Sequence, residues 1–356
     1  MIRISIIVPV YNAETTLERL LTSLLSQKEA VDYEIILVDD GSTDHSPQIC
    51  DQYEKQSPNI RVIHQQNAGP SAARNTGLSV AAGEYVMFCD ADDYVERNTL
   101  LELSKTLSYD ILIYGVVDES WQDGIIISSC SHVPEARSYR STALFLEDFH
   151  YLLENNLLYS QCTKLYKKQI IDANHIQFDP DLTMGEDITF NLLYFEHINT
   201  AKLLDYAFYH YTHLISSTSI SNSFYPGYYE NVSRVLHKQK DLLHRFGKMS
   251  EVNYLALESF FVGRISSAIQ NEYLQSSIRF SHKLASIKQI SSTDEAREAV
   301  KAGRPRQKLH RLLAFFLRHH LYLGTALLYQ IVVFIKSDVK RWMAGWKKRS
   351  SRNAKK

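Results

Sequence analysis

The sequence predicts an α/β protein: a doubly wound, mostly parallel sheet with helices on both faces, followed by a C-terminal helical region. Three observations carry that class. Short, unbroken β-branched runs alternate with segments of helical period in the N-terminal part, and polar turn residues stand directly after the strand ends. Beyond Tyr225 the helical period persists alone.

Ile4–Val10 is continuous and β-branched, the pattern of a strand buried on both faces of a parallel sheet. Residues 14–27 place Leu17, Leu20, Leu21, Leu24 and Leu25 on one helical face. Glu34–Val38 is a second strand, Ile49 to Tyr53 suggest a helix, and Arg61–His64 is a third strand. Asn67-Ala-Gly-Pro-Ser71 reads as a loop, Ala72–Ala82 as a small-residue helix and Tyr85–Cys89 as a fourth strand. Right-handed crossovers follow from that alternation. Asp110–Val117 and Gly124–Ser128 read as further strands, and a mixed stretch runs on to about Ser221. With 356 residues the chain exceeds what one core usually organises. We expect an α/β domain over 1–222, in two halves of about 1–95 and about 96–222, helices over 223–335 and a basic tail over 336–356.

Several chemistries are excluded. No Gly-x-Gly, Gly-Lys-Ser/Thr, Gly-x-Ser-x-Gly or His-Glu-x-x-His occurs. Cys50, Cys89, Cys130 and Cys162 are too far apart for a zinc knuckle or a redox pair, so free thiols in a reducing cytosol are expected. The run Ile4–Val10 is short and contains Pro9, unlike a signal peptide, which places the body in the cytoplasm.

Carboxylates crowd the end of the fourth strand at Asp90-Ala91-Asp92-Asp93. Such charges repel unless a hard cation shares them, and Mg²⁺ or Mn²⁺ bridging carboxylate and substrate phosphate is the natural partner. An acidic, solvated surface turn is the alternative.

Around these residues the chain resembles the family 2 glycosyltransferases of GT-A fold that build bacterial cell-surface polysaccharides. The resemblance covers roughly residues 3–222. It is carried by Ser5-Ile-Ile-Val-Pro-Val-Tyr-Asn12, Val38-Asp-Asp-Gly-Ser-Thr-Asp44, Asn67-x-Gly69 with Ala73-Arg74-Asn75-x-Gly77, Gly83-Glu-Tyr, Asp90-Ala-Asp-Asp93, Lys164-Leu-Tyr-Lys167 and Gly185-Glu-Asp187. The resemblance implies a donor site at Pro9, Tyr11, Asn12, Asp40, Asn67, Gly69, Arg74 and Asp90. Tyr11 would lie against the base of a UDP-sugar and Asp40 would accept its imide N–H. Tyr11 also fits core packing, and Asp39 reads better as a cap or loop hydrogen bonder. Asp90-x-Asp92 matches the family's DxD motif, with Asp92 the direct metal ligand, Asp90 nearer the ribose and Asp93 orienting its neighbours. Arg74 suits phosphate or sugar hydroxyls, or a surface ion pair.

In the family the second acid of Gly185-Glu186-Asp187 is the catalytic base, which gives Asp187 that role and Glu186 an accessory one. Helix capping is the competing reading for both. An Arg that the family commonly places before a Ser-rich loop is missing, and His210 or His213 stands near Ser217–Ser221 instead. A metal or diphosphate role for these histidines and a structural one both fit. Lys164 is a candidate for acceptor or phosphate, or simply a solvated lysine.

The tail adds a membrane expectation. Residues 301–356 hold fifteen Lys/Arg and one acid, Asp338, a formal +14 against −15 for the rest. Val339, Trp342, Met343 and Trp346 share a helical face flanked by Lys and Arg, the pattern of a helix on an anionic membrane surface, with a solvated tail as the alternative. No nucleic-acid recognition fold accompanies the charge. The uncharged stretch 321–335 reads as interfacial or buried rather than spanning. The whole then reads as an inverting, metal-dependent transferase, peripheral on the inner face of the membrane, moving a sugar to a growing, lipid-linked glycan. A catalytically silent nucleotide-sugar-binding scaffold is the alternative, and a nucleotidylyltransferase is disfavoured by the missing Gly-rich loop.

Overall fold

The computed structural model describes residues 3–27, 32–122, 124–182, 184–214, 224–274 and 278–335. The tail 336–356 and the segment Ser217–Ser221 lie outside the described residues, as therefore does the Trp342/Trp346 face. The chain divides into two compact units, one of residues 3–214 with 237–250, the other of 224–236 with 251–335.

In the first unit the strands are β1 (Ile4–Val10), β2 (Tyr33–Asp39), β3 (Ile60–His64), β4 (Tyr85–Phe88), β5 (Tyr94–Val95), β6 (Ile111–Gln122), β7 (Ile125–His132), β8 (Arg137–Tyr139), β9 (Lys164–Lys167) and β10 (Ala201–Leu214). The helices are α1 (Leu17–Leu25), α2 (Ser46–Gln56), α3 (Pro70–Val80), α4 (Thr99–Ser104), α5 (Thr142–Glu147), α6 (Phe149–Glu154), α7 (Lys168–Ala173) and α8 (Glu186–Phe195). They form the α/β class that the sequence predicts. One mixed sheet runs in the order β3-β2-β1-β4-β9-β6-β10-β5, with β7 on β6 and β8 on β10. The β3-β2-β1-β4 part is wholly parallel, and β6 and β10 form a second parallel pair. β9 enters antiparallel between β4 and β6 and joins the two parts.

Differences from the sequence reading are local. α3 begins at Pro70 rather than after Ser71, because proline is pre-organised for a first helical turn. α1 starts at Leu17, three residues later than the leucine period suggests, after Thr16 and Leu17 donate to the Ala13 carbonyl.

Pro9 sits inside a strand without breaking it. The carbonyls of Arg3 and Ile7 face β4 and accept from Tyr85 and Cys89, whereas that of Val10 faces β2 and accepts from Asp40. The alternation turns Pro9 towards the β4 side, beyond the last β4 residue, so its missing N–H costs no ladder bond. Register then aligns the strand ends, since Val10 pairs with Asp39 and Asp39 with His64. The loops after β1, β2, β3 and β4 thus leave the same edge of the sheet.

An aromatic cluster underlies that edge. Phe88 of β4 packs edge-on against Tyr166, Phe178 and Phe190 at centroid distances of 5.8, 5.2 and 5.8 Å, while Phe178 and Phe190 stack at 4.1 Å. Phe190 lies one turn after Asp187 and Phe88 two residues before Asp90, so the cluster ties two candidate site segments to one core. Gly83, before β4, is close against β1. A Cβ there would stand 2.6 Å from the Ser5 nitrogen. Gly83→Ala is therefore expected to lower stability by about 2 kcal/mol, read as a lower urea midpoint with unchanged m.

The second unit is helical. With the first half of α9 (Tyr228–Arg245), whose residues from His237 onward belong to the first unit, come α10 (Glu251–Leu274), α11 (Phe280–Ser292), α12 (Asp294–Ala302) and α13 (Lys308–Arg318), and residues 322–335 are also helical.

Candidate functional site

The β2 end carries two aspartates with separate duties. Asp39 accepts from the Ser42 N–H at 3.1 Å and pairs with His64 Nδ1 at 2.8 Å. Asp40 is buried and accepts from Gln65 Nε2 at 2.7 Å and from the N–H groups of Ala68 and Gly69 at 2.9 and 2.8 Å. It thereby holds the loop that enters α3, where Gly69 has φ +88 and Asn67 is exposed. Asn12, with φ 49, accepts from Thr43 N–H at 2.8 Å and braces the β1 and β2 loops against each other. Tyr11 is 53% exposed at that edge, so it stands as an open aromatic face rather than as core.

The strongest charges meet at Arg74 on α3. It is only 5% exposed, yet its fork reaches two segments. Nη2 donates to Asp90 Oδ1 at 2.9 Å and Nη1 lies 3.5 Å from Asp187 Oδ1. Phe178 supplies an aromatic face 5.3 Å from the guanidinium carbon. The carboxylates share one buried cation, in place of the surface ion pair considered from the sequence. Gln161 completes the junction. With its amide nitrogen turned to Asp187 it donates at 3.0 and 2.5 Å, while its oxygen accepts from Arg74 Nη2 at 2.8 Å.

Asp187 opens α8 behind Gly185, which takes the left-handed conformation with φ +84. The Asp187 carboxylate turns to Arg74 and Gln161 rather than capping its own helix, and Glu186 beside it is half-buried. Burial pushes the Asp187 carboxyl up to about 7; Arg74 opposes this, and the charges of Glu186 and Asp90 add to it. An acid ionising there suits a base working near neutral pH. Lys164, on β9, is fully buried rather than solvated. Its ammonium donates to the Ser160 carbonyl at 2.5 Å, and burial brings its pKa down to about 7 against the pull of Asp187.

The Asp90–Asp93 turn is anchored by Asp93. Its buried carboxylate accepts from Tyr209 Oη at 2.6 Å and the Thr212 N–H at 2.8 Å, both from β10, and the Asp90 N–H donates to Tyr209 Oη at 3.0 Å. Burial and the charges of Asp92 and Asp90 hold the Asp93 carboxyl well above the usual range. Asp92 reaches solvent at the mouth, and desolvation together with Asp90 raises its carboxyl as well. Arg19 of α1 donates to the Asp92 carbonyl and to Thr212 Oγ1, with Trp121 and Tyr94 rings 4.7 and 5.3 Å away. His213 pairs with Asp118 at 3.1 Å and, like Arg19, eases the ionisation of Asp92. His210 is placed differently: its ring stacks on Tyr94 at 4.2 Å, and its nitrogens face Glu119 at 3.1 Å and Glu96 at 2.9 Å.

Among the described residues no group of three or more His, Cys, Asp or Glu forms a ready metal cage. The donor set still fits a hard divalent ion. Mg²⁺ and similar ions are usually held by one or two carboxylates, with substrate phosphates and water completing the shell, and Asp90 and Asp92 supply that share.

Gln161, Arg19, Tyr209 and Thr212 were not singled out by sequence. Gln161 stands three residues before the Lys164-Leu-Tyr-Lys167 block, the nearest signal to it; Arg19 reads as the solvated side of an amphipathic helix.

The sequence profile described as glycosyl transferase family 2 matches residues 5–174. The uncharacterized glycosyltransferase EpsJ of Bacillus subtilis is 36% identical over 214 residues, 58% of this chain and 60% of EpsJ. The uncharacterized glycosyltransferase YibD of Escherichia coli is 30% identical over 247 residues, 66% of this chain and 70% of YibD. Poly(ribitol-phosphate) beta-N-acetylglucosaminyltransferase TarS of Staphylococcus aureus is 30% identical over 220 residues, 60% of this chain and 36% of TarS. The crystal structure of TarS 1–349 in complex with UDP-GlcNAc superposes with TM-score 0.65 at 22% identity, covering 92% of this chain and 91% of that one, so the two share their fold. The chain thus spans less than two thirds of EpsJ and of TarS. With the profile lying on the framework that joins Arg74, Asp90 and Asp92, and with YibD covered over more than two thirds of its length, the chain belongs to glycosyl transferase family 2.

Proposed function

We propose that this chain is an inverting glycosyltransferase that moves a sugar from a UDP-sugar to a growing, lipid-linked cell-surface glycan. The observation that carries this reading is the buried Arg74, which holds Asp90 and Asp187 together at the end of β4. Asp187 is the base: it takes the proton of the acceptor hydroxyl as the oxygen attacks the anomeric carbon opposite the diphosphate, which inverts that centre. Gln161 and Arg74 fix its orientation, and Glu186 assists the acceptor hydroxyls. Tyr11 offers its open face to the base of the nucleotide, and the Asp40-held loop of Asn67 and Gly69 shapes the same side. Asp90 and Asp92 would hold Mn²⁺ or Mg²⁺, which supplies charge stabilisation to the leaving diphosphate when bound. Arg19 adds positive charge on that side, and His213 stands beside it against Asp118.

The UDP-GlcNAc complex of TarS supports a UDP-sugar as the donor class. The basic tail supports a place at the inner face of the membrane, near a lipid-linked acceptor. The presence of Asp90, Asp92 and Asp187 supports the enzymatic reading over the silent scaffold.

Release of UDP from a panel of UDP-sugars, with and without Mn²⁺, tests the activity. Asp92→Ala is expected to abolish transfer and to weaken UDP binding only when divalent metal is present. Equal loss of affinity in EDTA would exclude the metal-ligand role.

A further inference from the structure

We propose that the apolar face of helix 322–335 is a lipid-docking surface that inserts shallowly into an anionic membrane. This deepens the membrane placement proposed above and rests on it. The helix is apolar almost all round, but only one side is covered. Thr325, Ala326 and Tyr329 are buried; Tyr329 Oη donates to Ser266 Oγ at 2.6 Å, and the Ala326 carbonyl accepts from Tyr273 Oη at 2.7 Å, both partners lying on α10. The opposite side carries Leu323, Leu327 and Ile331 at successive i, i+4 positions, and they are 56%, 51% and 56% exposed. At about 1.5 Å per residue its described part, 322–335, is about 21 Å long, short of a bilayer core of about 30 Å. Among the described residues no helix is long and apolar enough to cross a membrane. A helix that buries one face on its own unit and offers leucine and isoleucine on the other has the build of an in-plane anchor.

Charge selects the occupant. Residues 301–335 contain Lys301, Arg304, Arg306, Lys308, Arg311 and Arg318, and no Asp or Glu. On α13, Lys308 and Arg311 are exposed on the same side as Leu312 and Phe315, again basic side chains among apolar ones. A second copy of this chain would bring the same positive charge against itself. An anionic lipid surface is attracted by it and solvates the apolar face as well.

Flotation of the full chain decides the matter, using phosphatidylcholine vesicles with and without phosphatidylglycerol and no nucleotide. The wild type is expected to float with the anionic vesicles. The triple variant Leu323→Ser, Leu327→Ser, Ile331→Ser is expected to lower that partition by roughly tenfold or more, with unchanged circular dichroism. Lys308→Glu with Arg311→Glu, which leaves the apolar face intact, is expected to weaken the preference for anionic over neutral vesicles, the basic residues of 336–356 keeping the remainder. Wild-type flotation of the triple variant overturns the proposal. So does a wild type that sediments as a dimer which the triple variant dissolves, with flotation unaltered. Failure of the glycosyltransfer reading would appear separately, as no UDP release from any UDP-sugar, and would leave flotation where it is.

Discussion

Asp187→Asn is expected to reduce kcat by on the order of 10²–10⁴ while UDP-sugar affinity stays within a few fold. The amide keeps the shape and still accepts a hydrogen bond, but it cannot take the acceptor's proton. The wild-type pH profile carries a second reading of the same residue. Burial raises this carboxyl to about 7, so the base is ionised above that pH and protonated below it. The rate should therefore fall as pH drops through about 7, and the falling limb should vanish in the Asn variant. Steady-state kinetics across pH, with the product anomer assigned by NMR coupling, measure both. Retained configuration, or near-normal turnover of Asp187→Asn, would falsify the assignment and move suspicion to Glu186.

Arg74→Met is expected to be the most damaging single change to the folded state. It leaves Asp90 and Asp187 in one crevice without the cation they share, and it orphans the Gln161 oxygen. Removing one partner from a buried charge cluster typically costs about 3–5 kcal/mol. Any activity that survives should shift its acid limb to higher pH, because Arg74 is the main influence lowering the Asp187 carboxyl. Arg74→Lys should restore part of the stability and little of the geometry, since one ammonium cannot address two carboxylates through separate nitrogens. Urea denaturation at several pH values checks the first point and kinetics the second. A variant as stable as wild type at pH 8 would show that the carboxylates find another cation.

Much of the first unit was legible because its determinants are local. Ile4–Val10, Glu34–Val38 and Tyr85–Cys89 announce buried strands by β-branching and continuity, and their register brings Asp39, Asp40 and Asp90 to one sheet edge without further information. What was illegible depends on partners distant in sequence. Lys164 belongs to the tetrapeptide Lys-Leu-Tyr-Lys, where a solvated lysine was one of the readings; it is buried because β9 lies between β4 and β6. Gln161 carries no motif, and its role exists only once Arg74 and Asp187 flank it. His210 looked available to a ligand because nothing near it in sequence names Glu96 and Glu119 as neighbours of its ring. The C-terminal helices were readable as helices, but which sides they cover is a tertiary fact.

The central position of β9 has a kinetic corollary. Strands β1 to β4 close through short parallel crossovers, so the Asp40-held loop and the start of α3 draw on residues 3–95 alone. The half that holds Asp187 cannot join them until β9, arriving some seventy residues later, fills the gap between β4 and β6. That step closes a long loop against its entropy and gives nothing back until the antiparallel ladders on both of its sides form. The loop that Asp40 holds can thus form before Asp187 has a framework to join, and the two segments meet only once β9 is in place.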